Sequence, residues 1–278
     1  MIGGRFCVLV NSSDRSRDVF EIVFRNAEKM WAGCDWPRFA GFTTAHPDLY
    51  GFKSVAGKGP SDWRGELAGQ LDALPPEIEY VLRLDDDAFA LSPVDGRKLN
   101  AVADLMLRDG LCYVKLHPVS RSLAGQAIEF CRRRISKLPL RPVPFTEPYY
   151  CSLVPSIWKR SYLREILGKP GSVWDFELTV TNERHYASWE NAVDLDHIVT
   201  KGRWSRRAAR LLARQGLDLA GSKREVQPLR SWVRQQREKL SFLLFGFLGF
   251  RIRRRLNRLP RVPKDLKFDL YAPTSEQS

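Results

Sequence analysis

Three short apolar runs, Arg5 to Val10, Arg38 to Thr44 and Glu79 to Leu84, are separated by stretches whose apolar residues recur at helical spacing. In the first stretch Phe20, Val23, Phe24, Ala27 and Trp31 share one helical face, and Asp18 and Glu21 have the spacing of a capping box. In the second, Trp63, Leu67, Leu71 and Leu74 repeat the pattern, from a start at Ser61 or Asp62 to a stop at Pro75-Pro76. Strands that alternate with helices pair in parallel through crossovers, so the chain is constrained to the α/β class, with a mostly parallel sheet flanked by helices. Leu99, Val102, Ala103 and Met106 predict a further helix ending at Asp109-Gly110. Leu111 to Leu116 reads as a strand, and Ile157 to Leu167 as a helix. In such a sheet ligands bind beyond the carboxyl ends of the strands. Ser12-Ser13-Asp14 and Asp85-Asp86-Asp87 both fall there.

Charge divides the chain. Up to residue 200 there are 25 Lys and Arg against 26 Asp and Glu, whereas the remainder holds 20 against 6, so the net charge of +13 belongs to the C-terminal part. This predicts a folded body over residues 1–205 and a basic, partly amphipathic helical extension over 206–278 that docks on an anionic surface. Leu240 to Phe250, followed by Arg251-Ile252-Arg253-Arg254-Arg255, is too short to span a bilayer but suits a helix lying in the headgroup plane. Peripheral contact with an anionic membrane is therefore expected. The alternative is a helical cap packed on the body with a solvated basic face. Phenylalanines in one continuous run, not interleaved with arginines, argue against nucleic acid. The first apolar run is too short for a signal peptide, which gives the expectation of a cytoplasmic protein at the inner face of the cell membrane. Five cysteines without a C-x-x-C pair signal neither a disulfide framework nor a zinc site. P-loop, zincin and nucleophile-elbow motifs do not occur.

Three adjacent carboxylates behind a buried strand repel one another, and a divalent cation is the simplest reason for them. Asp85 and Asp87 would face the same side. The competing reading is an acidic loop that caps the following turn. A second group gathers Tyr149, Tyr150, Trp158 and Trp174 around Asp175 and Glu177. Flat aromatic faces beside carboxylates suit a sugar ring and a hydroxyl proton, but also suit core packing and helix capping.

Taken in order, Ser13-Asp14, Trp31, Trp63 with Leu67, Tyr80 to Phe89, Ser152 to Lys159, Trp174-Asp175-Phe176-Glu177 and Val199 to Trp204 resemble bacterial surface-polysaccharide glycosyltransferases with a GT-A type fold, over about residues 5–205. The resemblance implies a GT-A-like, Rossmann-like sheet, a nucleotide diphosphate-sugar donor, and a glycan acceptor that is lipid-linked. By that resemblance Ser12, Ser13 and Asp14 would line the base and ribose, and Asp85 and Asp87 would address the ribose and the metal–diphosphate, with Asp86 among the donor-binding residues. Asp87, with Asp85, would hold Mn2+ or Mg2+, and Glu177, or else Asp175, would act as general base. His185 and His197 lie beyond Glu177, in a region from which some related enzymes supply a metal ligand; a ligand role for His197 is the minority reading. His46 and His117, each preceding a proline, are expected at the surface or behind the site. Two other readings compete. A binding protein would act through its basic tail alone, and a sugar nucleotidyltransferase would show a Gly-rich loop after the first strand, where Asn11-Ser12-Ser13-Asp14 stands.

Overall fold

A computed structural model describes residues 4–57, 62–117, 139–143, 150–153, 155–168, 176–177, 183–189, 191–237 and 240. The described elements are, in chain order, β1 (Phe6–Asn11), α1 (Arg17–Val23), α2 (Ala27–Met30), β2 (Arg38–Phe42), β3 (Lys53–Ala56), α3 (Trp63–Asp72), β4 (Tyr80–Asp85), β5 (Ala88–Ala90), α4 (Gly96–Asp109), β6 (Tyr113–Lys115), β7 (Arg141–Val143), β8 (Ser156–Lys159), α5 (Arg160–Leu167), β9 (His185–Ala187), β10 (Leu195–His197), β11 (Val199–Thr200), β12 (Arg203–Trp204) and α6 (Ala208–Ala213).

Eight strands form one sheet in the order β3-β2-β1-β4-β8-β6-β9-β7. The four at the β3 end are parallel, β8 runs against both of its neighbours, and β6 and β9 are again parallel. The expected architecture, a mostly parallel sheet flanked by helices, is the one the chain adopts. Its two faces are both dry. Phe6, Val8 and Val10 of β1 enter one apolar cluster with Phe20 of α1 and Leu99, Val102 and Met106 of α4. Cys7 and Leu9 enter the other with Leu67 and Leu71 of α3 and Leu163 and Ile166 of α5. Successive strand residues thus face opposite layers, and a strand covered on both faces reads as a continuous apolar run.

Local signals explain most boundaries. The Asp62 side chain accepts the Gly65 N–H at 2.7 Å and opens α3, and Asp95 does the same for Arg97 at the start of α4. Gly110, at φ 63°, closes α4 in the left-handed region, which costs glycine little. Two expectations are corrected. The stretch from Asp18 to Trp31 is two short helices, and Asp18 caps neither: α1 begins at Arg17 behind Ser16, and the Asp18 carboxylate is taken by Ser222 and Arg224. Ile157 to Leu167 is a strand followed by a helix, because Ser156 to Lys159 pairs on both sides with β4 and β6. Trp158 is fully buried from that strand, not from a helix face.

The compact unit that holds the sheet covers residues 1–119 and 138–228, so it continues beyond residue 205. Ala208, Leu211, Leu212 and Leu217 are buried in the cluster that contains β1 and α4. Asn26 donates to the Gln215 carbonyl at 2.7 Å, and Gln215 donates to that of Ala90 at 2.7 Å. A second unit comprises residues 120–137 and 229–278; of it, 229–237 is described as helical, with Leu229 and Val233 exposed. Arg132 to Arg134, Leu240 to Phe250 apart from Leu240, and Arg251 to Arg255 lie outside the described residues. Among the described residues no helix is long and apolar enough to cross a membrane.

Candidate active site

A cleft of about 320 Å3 opens beyond the carboxyl ends of β1 and β4. It is lined by Asn11, Ser12 and Ser13 at the end of β1, by Glu66 of α3, by Asp85, Asp86 and Asp87 at the end of β4, and by Val199 and Arg224 from later parts of the unit.

The three aspartates are not equivalent. Asp87 is held from three sides. Its Oδ1 lies 2.8 Å from His197 Nδ1, its Oδ2 accepts the Val199 N–H at 3.3 Å, and its carbonyl accepts the Ile198 N–H at 3.2 Å. Antiparallel pairing of β10 with β5, in the register His197 opposite Ala88, is what brings the imidazole there. Asp85 turns to the same place: one oxygen each from Asp85 and Asp87 and one nitrogen of His197 lie within 4.8 Å of one another. Its Oδ1 also receives Arg83 Nη2 at 2.6 Å. Asp86 points away from them and accepts from the Ser12 hydroxyl at 3.0 Å. Burial, reinforced by the charges of Asp85 and Asp87, pushes its carboxyl up to about 7. Two carboxylates and an imidazole converging at a half-open site fit a borderline-hard divalent cation such as Mn2+ or Mg2+, with positions left for water or phosphate oxygens.

The remaining expected residues divide. Ser12 and Ser13 line the cleft, whereas Asp14 staples the neighbouring loop. Its carboxylate accepts from the Thr43 and Thr44 N–H groups, each at 3.2 Å, and from the Thr44 hydroxyl at 2.8 Å, and it pairs with His46 at 3.0 Å. Burial opposes its charge, but the His46 and Thr44 contacts outweigh that and hold it below the usual carboxylate range. Glu177 is half-buried, and its Oε1 accepts the Leu153 N–H at 3.3 Å. Desolvation raises its carboxyl; the Leu153 N–H and the Arg83 cation pull against that, and Asp85 adds to it. Those charges put Glu177 in the field of the metal-site residues, although it does not itself line the cleft. Asp175 and Trp174 lie outside the described residues.

His185 belongs to the core. It is 1% exposed, stacks on Tyr150 with centroids 4.1 Å apart, and shares hydrogen bonds with the Tyr150 carbonyl at 2.9 Å and the Tyr162 hydroxyl at 2.8 Å.

Sequence reasoning passed over Arg83, Glu66, Asn11 and Arg224. Arg83 carried a signal, being the one charged residue inside the run Tyr80-Val81-Leu82-Arg83-Leu84. Arg224 carried none. It reaches the cleft because Asp18 accepts from its Nε at 3.2 Å and the Arg15 carbonyl from its Nη2 at 2.9 Å. Just upstream, Lys201 and Gly202, at φ 50° and 71°, form the tight turn between β11 and β12. Buried Trp204 follows and donates from Nε1 to Ser222 Oγ at 2.8 Å.

Neither a family model nor a curated protein matches the chain. Several solved structures are partly similar to it, two of which illustrate the extent. One is Staphylococcus aureus TarS 1–349, at 14% identity and a TM-score of 0.40, over 68% of this chain and 59% of that one. The other is the apo form of mouse xyloside xylosyltransferase 1, at 12% identity and a TM-score of 0.33, over 58% of this chain and 68% of that one. The chain thus spans less than two thirds of the TarS structure's length. Likeness of this extent says nothing of what the chain acts on, which has to be read from the site.

Proposed function

We propose that the chain is a glycosyltransferase that moves a sugar from a nucleotide diphosphate-sugar to a hydroxyl of a glycan, in the setting of a bacterial surface polysaccharide. The observation that carries this reading is the convergence of Asp85, Asp87 and His197 at one end of a cleft whose other wall is Asn11-Ser12-Ser13. Mn2+ or Mg2+ held there would neutralise the charge that develops on a leaving diphosphate. Ser12 and Ser13 offer hydroxyls and backbone groups to a nucleoside, and Arg224 offers a cation at the mouth. Arg224 is the residue that suits a diphosphate best, since its guanidinium forms paired bonds to phosphate oxygens.

For transfer with inversion, the acceptor oxygen forms its bond to the anomeric carbon as the bond to the diphosphate breaks, and the hydroxyl proton passes to Glu177. A carboxylate raised by burial is suited to take that proton. The acceptor is proposed to be lipid-linked and the contact with an anionic, cytoplasm-facing membrane peripheral. Exposed Leu229 and Val233 beside Arg230, Arg234 and Arg237 in one helical stretch support that contact.

A donor panel decides the first part. Purified protein is incubated with nucleotide diphosphate-sugars of different bases, with and without Mn2+, and release of free nucleoside diphosphate is followed. Turnover of at least one donor that needs the metal and is lost in Asp87→Ala is expected. No turnover and no thermal shift with any donor would favour a binding protein.

A further inference from the structure

From the metal-site residue Asp85 a line of polar side chains runs through Arg83 and Asn11 to Gln70, of which the proposed chemistry uses neither Arg83 nor Gln70. Gln70 of α3 is fully buried at 0% exposure, yet it does not line the cleft. Its Nε2 donates to the Ser12 carbonyl at 3.1 Å, and its Oε1 accepts from Asn11 Nδ2 at 2.7 Å. Asn11 Oδ1 in turn accepts from Arg83 Nη2 at 3.0 Å, and the same nitrogen meets Asp85 Oδ1 at 2.6 Å. Every link has one donor and one acceptor, so the line has a single self-consistent direction. Reversing the Gln70 amide would set two N–H groups against each other at Asn11 and two oxygens against each other at Ser12.

The surroundings hold Gln70 in place. Gly41 of β2 lies against it so closely that an added Cβ would overlap the amide. Arg83 is the weak point of the line, because its side chain is 5% exposed and its Nε finds no hydrogen-bond partner among the described residues. A buried guanidinium with an unpaired N–H depends on the bonds it keeps for its position. Those bonds are to Asn11 and Asp85, and Asn11 is aimed by Gln70.

We propose that Gln70 is a positioning residue for the metal site: acting through Asn11 and Arg83, it fixes the Asp85 carboxylate in the orientation in which it faces Asp87 and His197. This rests on the metal site proposed above. Gln70 is neutral and lies off the cleft, so replacing it leaves the charge of the ligand set unchanged. A change in metal affinity then reports geometry.

The test is Mn2+ binding to the full chain without donor, read from the loss of the free-ion electron paramagnetic resonance signal and scaled to the folded fraction by near-ultraviolet circular dichroism. Gln70→Leu, and Gln70→Met as a variant of matching length, are expected to raise the Mn2+ Kd about tenfold, the lower end of what a lost outer-shell partner costs. Gly41→Ala should produce a similar loss by displacing the amide, and should add nothing in a Gln70→Ala background. A Kd within twofold of wild type in the folded Gln70 variants overturns the inference and leaves the metal site standing. Absence of Mn2+ binding by the wild-type chain overturns the metal site, and the inference with it.

Discussion

His197 Nδ1 lies 2.8 Å from Asp87 Oδ1, although 110 residues separate the two in sequence. The contact joins the loop behind β4 to the end of β10, and it sets an imidazole beside Asp85 and Asp87 as the third candidate metal-ligating group among the described residues. Removing either partner therefore has separable consequences for binding and for fold.

Asp87→Ala is expected to abolish metal-dependent donor binding and turnover with little loss of stability, because relief of repulsion among three crowded carboxylates offsets the lost bonds from His197 and the Val199 N–H. His197→Ala is expected to weaken Mn2+ at least as much as loss of an outer-shell partner does, about 10–100-fold. Isothermal titration with Mn2+ alone checks both. Unchanged affinity in His197→Ala would remove the imidazole from the ligand set.

Glu177→Gln should leave donor KM nearly unchanged and lower kcat by about two to four orders of magnitude, the usual reach of a general base. The amide keeps the bond from the Leu153 N–H but cannot accept a proton. Steady-state kinetics decide it, and a full-rate Glu177→Gln would move the role elsewhere, with Asp175→Asn the next variant to measure.

Stability should rise with pH across the weakly acid range because of His185. Burial lowers its pKa from 6.5 to about 4, and the neutral ring is doubly satisfied: Nδ1–H donates to the Tyr150 carbonyl and Nε2 accepts from Tyr162. Between those values the unfolded chain binds the proton and the folded one does not. The contribution is therefore complete above pH 6.5 and is lost as pH falls towards 4. Its size is on the order of 3 kcal/mol. Urea unfolding at a series of pH values measures the slope, which should flatten in His185→Phe.

Leu212→Ala is expected to cost about 2–5 kcal/mol, as for a core leucine, since Leu212 is fully buried among residues packed on β1 and α4. A chain cut after Trp204 should then unfold readily. Chemical denaturation of the point variant measures this directly, and a cost below 1 kcal/mol would show that the segment after β12 is only laid on the body.

Binding to vesicles rich in phosphatidylserine should fall on the order of a hundredfold when Arg230, Arg234 and Arg237 are all changed to Gln, at about 1 kcal/mol per basic residue near the surface. Added salt should mimic the change in the wild type. Co-sedimentation reads it, and equal pelleting with neutral lipid would favour a protein-packed cap over a membrane contact.

The strands and the acidic trio were legible because a strand buried on both faces leaves an apolar run, and the three carboxylates directly behind it stand out. The strand–helix junction at β8 and α5 was not. Over a dozen residues the apolar positions of the strand fit the helical spacing of Trp158, Leu163 and Ile166, and only pairing with β4 and β6 separates the two. Asp18 misled for a related reason, since the capping pattern was present but a partner about two hundred residues away claimed the carboxylate. Gln70 left no trace in the sequence, because a glutamine on a helix reads as a solvated face until its neighbours are known.

The bond from Arg224 to Asp18, across 206 residues, also sets a schedule. During synthesis the chain is extended from its N-terminus, and domains fold as units once enough of them has emerged. Asp18 leaves the ribosome with the first helix, but the guanidinium that closes its side of the cleft follows only after the sheet, the His197 strand and the turn at Lys201-Gly202 have been made. The Arg224 side of the cleft is thus among the last parts of this body to be synthesised, long after the Asn11-Ser12-Ser13 side.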